Sequence, residues 1–139
     1  VHSFSGIEEV FDWVLQTLLQ VKDNNLKNKI SNSEKILEKG ELFLKDNYNK
    51  CEITMDLVCD ELGISISYMS LLFKKHKNTS FVKYLTNLRI DRAKELLTYS
   101  KKKVVEIADD CGFKDVYYFS HCFKKNVGVS PKKYRETIN

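Results

Sequence analysis

The residues best suited to chemistry in this chain are lysines, which occur in two blocks without acids. Residues 64–83 contain no Asp or Glu and four lysines, Lys74, Lys75, Lys77 and Lys83. Residues 116–135 also lack acids and contain Lys124, Lys125, Lys132, Lys133 and Arg135. Two separate basic blocks predict a polyanionic partner. The alternative is a lysine-rich helix face that is merely solvated.

Other kinds of site have weak support in the sequence. The chain has no paired carboxylates in a plausible cleft, no Gly-rich phosphate loop and no convincing Cys–His pair, so we expect no enzyme. The four cysteines form no C-x-x-C pair and have no His at ligand spacing, so we expect no metal, no cofactor and small buried thiols in a reducing cytosol. No apolar stretch approaches the roughly 18 residues that span a bilayer, and no signal peptide is visible, which predicts a cytoplasmic protein.

An internal repeat positions the two basic blocks. LVCDELG at 57–63 matches EIADDCG at 106–112, and YMSLLFKK at 68–75 matches YFSHCFKK at 118–125. SFVKY at 80–84 then matches SPKKY at 130–134. The offset is 49 before the turn and 50 after it, so the second turn is one residue longer. Three matches in one order indicate a duplicated structural element.

Each repeat has the pattern of a helix, a tight turn and a second helix. In the first, Thr54 is the expected N-cap, Gly63 supplies the turn, and Ser65 or Ser67 caps the next helix. In the second, Gly112 supplies the turn and Asp115 the cap. On each first helix we expect an apolar stripe: Leu57, Val58 and Leu62, then Ile107, Ala108 and Cys111.

The second helix of each repeat divides into an inward and an outward face. The inward residues are Met69, Leu72, Phe73 and His76 in the first repeat, and Phe119, Cys122 and Phe123 in the second. The outward residues are Ser67, Ser70, Leu71 and Lys74, then Tyr117, Ser120, His121 and Lys124. Acids cluster on the first helix of each repeat and bases on the second, which predicts one orientation on a phosphate-bearing partner.

A linking helix is predicted between the repeats, from about residue 81 to residue 97. Its 17 residues span about 25 Å, which with the flanking helices is roughly one turn of DNA, about 34 Å. One Pro, five Gly and no alternating β-branched runs predict an all-α fold.

The N-terminal part has a different character. Residues 5–22 predict a helix whose apolar residues step 4-3-4-3: Ile7, Phe11, Val14, Leu18 and Val21. This stripe predicts either pairing with a second copy or packing on the chain's own domain. Residues 22–29 are polar and predict a linker, after which Ser31 and Glu34 predict the start of an amphipathic helix that reaches Tyr48. The predicted domains are therefore 1–32 and 33–139, the latter with repeats at about 33–80 and 98–139.

The run from ITMDLVCDELG to RIDRAKELL, then VVEIADDCGFKDVYYFSHCFKKNVGVSPKKYR, resembles the DNA-binding domain of AraC/XylS transcription regulators over about 105 residues. The region before it resembles that of two-component response regulators ending in such a domain. The resemblance implies seven helices, with the second helix of each repeat in adjacent major grooves of double-stranded DNA. It places base reading on Ser67, Ser70, Leu71, Val116, Tyr117, Ser120 and His121. Phosphate contacts are expected from Lys74, Lys75, Lys124, Lys125 and Lys132.

Two residues depart from the family pattern, because members often have Arg where this chain has Leu71 and His121. Arg is the commonest bidentate reader of guanine, so a guanine preference is not expected here. Ser67 and Ser70 could instead be capping or surface serines that read no base. The alternative for Tyr117 is half-buried packing. RNA polymerase and a homodimer through residues 5–22 are expected partners. The competing functions are a protein-interaction module without DNA binding and an RNA binder.

Overall fold

A computed structural model describes residues 6–138, with the backbone alone at residues 27–31. The described residues form seven helices and no strand, which confirms the all-α fold. The helices are α1 (Ile7–Asn47), α2 (Met55–Leu62), α3 (Ile66–Lys77), α4 (Phe81–Tyr99), α5 (Val104–Asp110), α6 (Val116–Val127) and α7 (Pro131–Ile138). Their contacts divide the chain into an N-terminal unit, Val1–Ile36, and a C-terminal unit, Leu37–Asn139.

Helix α1 corrects two sequence predictions. It continues through residues 22–29, where we expected a polar linker, and through Ser31, where we expected a helix to begin. No Gly or Pro occurs between Ile7 and Lys39, and Lys, Asp and Asn cost a helix only a few tenths of a kcal/mol each. Polarity alone therefore does not end this helix. The predicted start at residue 5 lies outside the described residues, as does the side chain of Ser31.

The heptad stripe of the N-terminal unit is exposed. Its residues range from 42% exposed at Val14 to 89% at Ile7, and the neighbouring Val10, Leu15 and Leu19 are exposed as well. Within the described residues no helix is both long enough and apolar enough to cross a membrane.

The first half of the C-terminal unit packs the end of α1, α2, α3 and the start of α4 around a small core. Its buried apolar residues are Leu37, Leu44, Ile53, Val58, Cys59, Met69, Leu72, Phe73, Phe81 and Leu85. The Phe73 ring meets those of Phe81 and Tyr84 edge-on, with centroids 5.7 and 5.3 Å away. Gly40 in α1 lets α3 approach, since a Cβ there would lie 3.2 Å from Met69 Cε.

The second half repeats this arrangement with the rest of α4, α5, α6 and α7. Its core contains Ile90, Ala93, Leu97, Ile107, Ala108, Cys111, Phe113, Phe119, Cys122 and Phe123. Phe123 meets Tyr134 edge-on at 5.4 Å, as its counterpart Phe73 meets Tyr84. The duplication seen in the sequence is thus a duplication of packing, and α4 contributes to both cores.

Candidate nucleic-acid interface

The two turns that precede the recognition helices, α3 and α6, have the same hydrogen-bonded geometry. In the first, Gly63 N donates to Asp60 O and Ile64 N to Cys59 O. In the second, Gly112 N donates to Asp109 O and Phe113 N to Ala108 O. This is the Schellman arrangement, whose left-handed residue is glycine in both turns, with φ of 68° and 87°. Both predicted turn glycines are confirmed.

The recognition helices begin at side-chain caps. Ser65 Oγ accepts from Tyr68 N at 3.1 Å, and Asp115 Oδ1 accepts from Tyr117 N at 2.9 Å. Ser65 rather than Ser67 is therefore the cap, which leaves Ser67 on the exposed first turn of α3. Thr54 caps α2 as predicted, accepting from Leu57 N.

The outward face of α3 presents a mixed surface. Ser67 is exposed, and Leu71 is 58% exposed, which is high for an apolar side chain. Ser70 is half-buried, and its Oγ donates to Met55 Sδ at 3.7 Å. The inward residues Met69, Leu72 and Phe73 are buried as predicted, while His76 is only half-buried.

The outward face of α6 has larger groups. Tyr117 is 81% exposed, so its ring is not packed against the core. His121 is also exposed, whereas Val116 and Ser120 are half-buried. The predicted inward residues, Phe119, Cys122 and Phe123, are all buried.

The lysines differ in whether an acid neutralises them. Lys77 Nζ pairs with Glu41 Oε1 at 2.9 Å, and Lys102 Nζ pairs with Asp110 Oδ2 at 2.5 Å. In the described part of the chain, no ion pair involves the exposed lysines predicted to contact phosphate. These are Lys74, Lys75, Lys124, Lys125 and Lys132. These lysines are available to a ligand. Those in the last turns of α3 and α6 also stabilise their helices, because a cation interacts favourably with the negative end of the helix dipole.

The cysteines correct one expectation. Cys59, Cys111 and Cys122 are buried, but Cys51 is exposed, because it lies in the turn between α1 and α2 instead of on a helix face. Burial raises the pKa of Cys111 to about 12. Among the described residues, no three His, Cys, Asp or Glu side chains could hold one metal ion.

Two arginines have packing roles that the sequence did not predict, although Arg135 was counted in the second basic block. Arg89 in α4 donates to the carbonyls of Tyr48 and Lys50. Arg135 in α7 donates to the carbonyls of Leu97, Ser100 and Lys102. Arg89 reaches the turn that follows α1. Arg135 reaches the last turn of α4 and the loop that follows it. Helical periodicity does not identify such residues, since their partners are backbone atoms 33 to 41 positions away.

Comparison with known proteins places this geometry in a family. A family model described as "Helix-turn-helix domain" matches residues 58–137. The C-terminal domain of AraT, a response regulator from Geobacillus stearothermophilus, is 33% identical with a TM-score of 0.72, over 73% of this chain and 84% of that one. A transcriptional regulator with an AraC-type DNA-binding domain from Chromobacterium violaceum is 27% identical with a TM-score of 0.68, over 78% and 96%.

The chain belongs to the AraC-type helix-turn-helix family. Residues 58–137 are thus a DNA-binding domain of the kind found in transcriptional regulators. The raffinose operon transcriptional regulatory protein RafR of Pediococcus pentosaceus is 45% identical over 96 residues, which is 69% of this chain and 34% of that protein. The chain spans less than half the length of the curated relatives it matches.

Proposed function

We propose that this AraC-type domain belongs to a sequence-specific transcriptional regulator that works in the cytoplasm. The observation that supports the proposal best is the duplicated helix-turn-helix. Each recognition helix combines a solvent-facing side with two lysines that form no ion pair with any described residue. The domain begins near residue 33 in this proposal. The chain has no catalytic activity, and neither a metal nor a cofactor takes part.

Base reading is divided between the two recognition helices. In α3 the readers are Ser67, Ser70 and Leu71, where Leu71 offers only apolar contact, for example to a thymine methyl group. In α6 the readers are Val116, Tyr117, Ser120 and His121. Phosphate contacts position the readers without conferring sequence preference, and they are made by Lys74, Lys75, Lys124, Lys125 and Lys132.

The regulator has three proposed partners. Double-stranded DNA takes α3 and α6 in adjacent major grooves. RNA polymerase is the second, because a regulator bound beside a promoter acts on it. The third is a second copy of this chain, paired through residues 5–22, whose apolar stripe is exposed in the single chain. The likeness to the C-terminal domain of a response regulator supports an upstream receiver domain.

Selection of duplexes from a random-sequence library tests the proposed function. The wild-type chain is expected to enrich one sequence family, and Tyr117→Ala is expected to weaken binding to it about tenfold, the cost of losing one good base contact. Tyr99→Ala is the matched control, because Tyr99 is 87% exposed at the end of α4 and is no proposed reader. Enrichment of no sequence, or equal loss in both variants, would contradict the proposal.

A further inference from the structure

Arg89 connects the two halves of the C-terminal unit. It lies midway along α4, where its Nε donates to Tyr48 O at 2.8 Å and its Nη2 donates to Lys50 O at 3.0 Å. Both carbonyls follow the end of α1, in the half that contains α3. A guanidinium group that bonds two carbonyls in a fixed fork restricts orientation as well as distance.

The same guanidinium group also meets the other half. Its Cζ lies 5.7 Å from the ring centroid of Phe113, in the turn before α6. Phe113 is buried, and its ring lies 5.1 Å from that of Phe119 in α6. A cation over an aromatic face is attracted more strongly when it is desolvated. Arg89 is half-buried at this position, and the burial lowers its pKa.

Gly112 brings the two backbones together beside Arg89. A Cβ at this position would lie 2.3 Å from Tyr48 O, 3.1 Å from Asn49 C and 3.0 Å from Arg89 Nε. The first two distances are to backbone atoms, which a rotamer change cannot move. Gly112 thus serves two purposes, since its φ of 87° makes the turn and its missing side chain lets that turn touch the chain after α1.

We propose that Arg89 and Gly112 form a joint that fixes α3 relative to α6, and thereby determines the spacing between half-sites that the protein accepts. The spacing part of this inference rests on the proposed DNA-reading function. Helix α4 joins the halves covalently, but a single helix bends. The joint adds a second connection, through the turn after α1 and the turn before α6, so the two recognition helices behave as one body.

Arg135 provides a matched control. It donates to three carbonyls, those of Leu97, Ser100 and Lys102, and all of these lie at the end of α4 or in the loop to α5. It therefore braces the second half alone. Arg135→Gln is expected to lower stability, as Arg89→Gln does, without loosening one half against the other.

Distances between spin labels test the joint without DNA. Labels at Lys75→Cys in α3 and Lys125→Cys in α6, in a Cys51→Ser background, are expected to give one narrow distance distribution. Arg89→Gln and Gly112→Ala are expected to broaden or shift it, Arg89→Lys to restore it in part, and Arg135→Gln to leave it unchanged. If the Arg89→Gln variant folds and its distribution coincides with that of the unsubstituted chain, the joint is disproved.

Binding to a selected duplex tests the consequence for spacing, with unlabelled proteins. One base pair inserted between half-sites is expected to weaken wild-type binding about tenfold or more, as a mismatched pair does. For each protein, the affinity for the selected duplex is divided by the affinity for the duplex with the inserted base pair. This ratio is expected to fall in Arg89→Gln and Gly112→Ala, and to equal that of the wild type in Arg135→Gln. If Arg89→Gln lost affinity equally for both duplexes, Arg89 would stabilise the fold without determining the spacing. Failure to select any duplex would refute the DNA function, while the label distances would still decide the joint.

Discussion

Lys74 and Lys124 illustrate what single residues contribute to the proposed interface. They occupy equivalent positions of the repeat, at the ends of α3 and α6, and both are exposed. Neither has an acidic partner among the described residues, whereas Lys77, three positions after Lys74, pairs with Glu41. The difference separates a lysine that stabilises the fold from lysines that are available to a ligand. Sequence alone does not separate them, since all three belong to basic blocks.

Replacing both Lys74 and Lys124 by Ala is expected to weaken binding to selected and random duplexes alike. Each phosphate contact contributes about −0.9 to the slope of log affinity against log salt, so the double variant should flatten the slope by about 1.8. Titrations at several salt concentrations measure it. The control is Lys45→Ala with Lys101→Ala, which removes the same charge from exposed lysines outside the recognition helices. An unchanged slope in the Lys74 and Lys124 variant would refute the phosphate contacts.

Thiol reactivity is a second property of individual residues that the structure predicts. Only the thiolate attacks alkylating reagents, so a raised pKa slows the reaction at pH 8. Burial raises the pKa of Cys111 to about 12 and also raises the pKa of Cys59, whereas Cys51 is exposed. Iodoacetamide is expected to modify Cys51 first in the folded protein and all four cysteines after denaturation. Peptide mapping that finds Cys111 alkylated as fast as Cys51 would show that the second core opens readily.

The helices and turns of the C-terminal unit were largely predictable, because the signals that define them are local. A cap such as Thr54 or Asp115 needs only its own side chain and an amide two or three residues on, and Gly63 needs only its own φ. The linking helix was predicted to within two residues. What could not be predicted depends on distant backbone atoms. The contact between Gly112 and Tyr48 O, and the reach of Arg89 to the same carbonyl, leave no periodic pattern in the sequence.

The stiffness of α4 can be tested separately from the joint. Thr86 is half-buried in α4, and its Oγ1 donates to Val82 O at 2.8 Å. Glycine there should cost about 1 kcal/mol of helix stability relative to alanine and loosen the helix locally. The Thr86→Gly variant is expected to tolerate an inserted base pair between half-sites better than the wild type. Thr86→Ala, which removes the hydroxyl and the methyl group but keeps the Cβ and a high helix propensity, should not. If Thr86→Gly bound the duplex with the inserted base pair as poorly as the wild type does, the stiffness of α4 would not determine the spacing.

For the whole molecule, the N-terminal unit is where prediction from sequence was least accurate. Residues 22–29 were expected to form a linker because they are polar, and they are helical because nothing in them breaks a helix. Polarity reports which side chains meet water, whereas helix termination needs Gly, Pro or a competing cap. The single chain also gives no reason why the apolar stripe that precedes these residues is exposed to solvent. Its five heptad positions are all exposed.

Pairing of two copies through this stripe is the prediction that concerns the whole molecule. An exposed row of Ile7, Phe11, Val14, Leu18 and Val21 gains free energy when it leaves water, at about 25 cal/mol for each Å² of apolar surface. A second copy offers the same 4-3 spacing and therefore a matching seam. Two linked DNA-binding domains would also bind neighbouring sites more tightly, because the second binding event becomes intramolecular.

Val14→Glu tests this pairing, because it would place a charge in the seam, where burial without a partner is costly. The intact chain is expected to sediment as a dimer at high micromolar concentration and to dissociate on dilution, while the Val14→Glu variant remains monomeric. Gln16→Glu adds the same charge off the 4-3 stripe and should still dimerise. A wild-type chain that is monomeric throughout would exclude the pairing. A dimer that Val14→Glu leaves intact would place the interface elsewhere, and the exposed stripe would then have to bind a different partner.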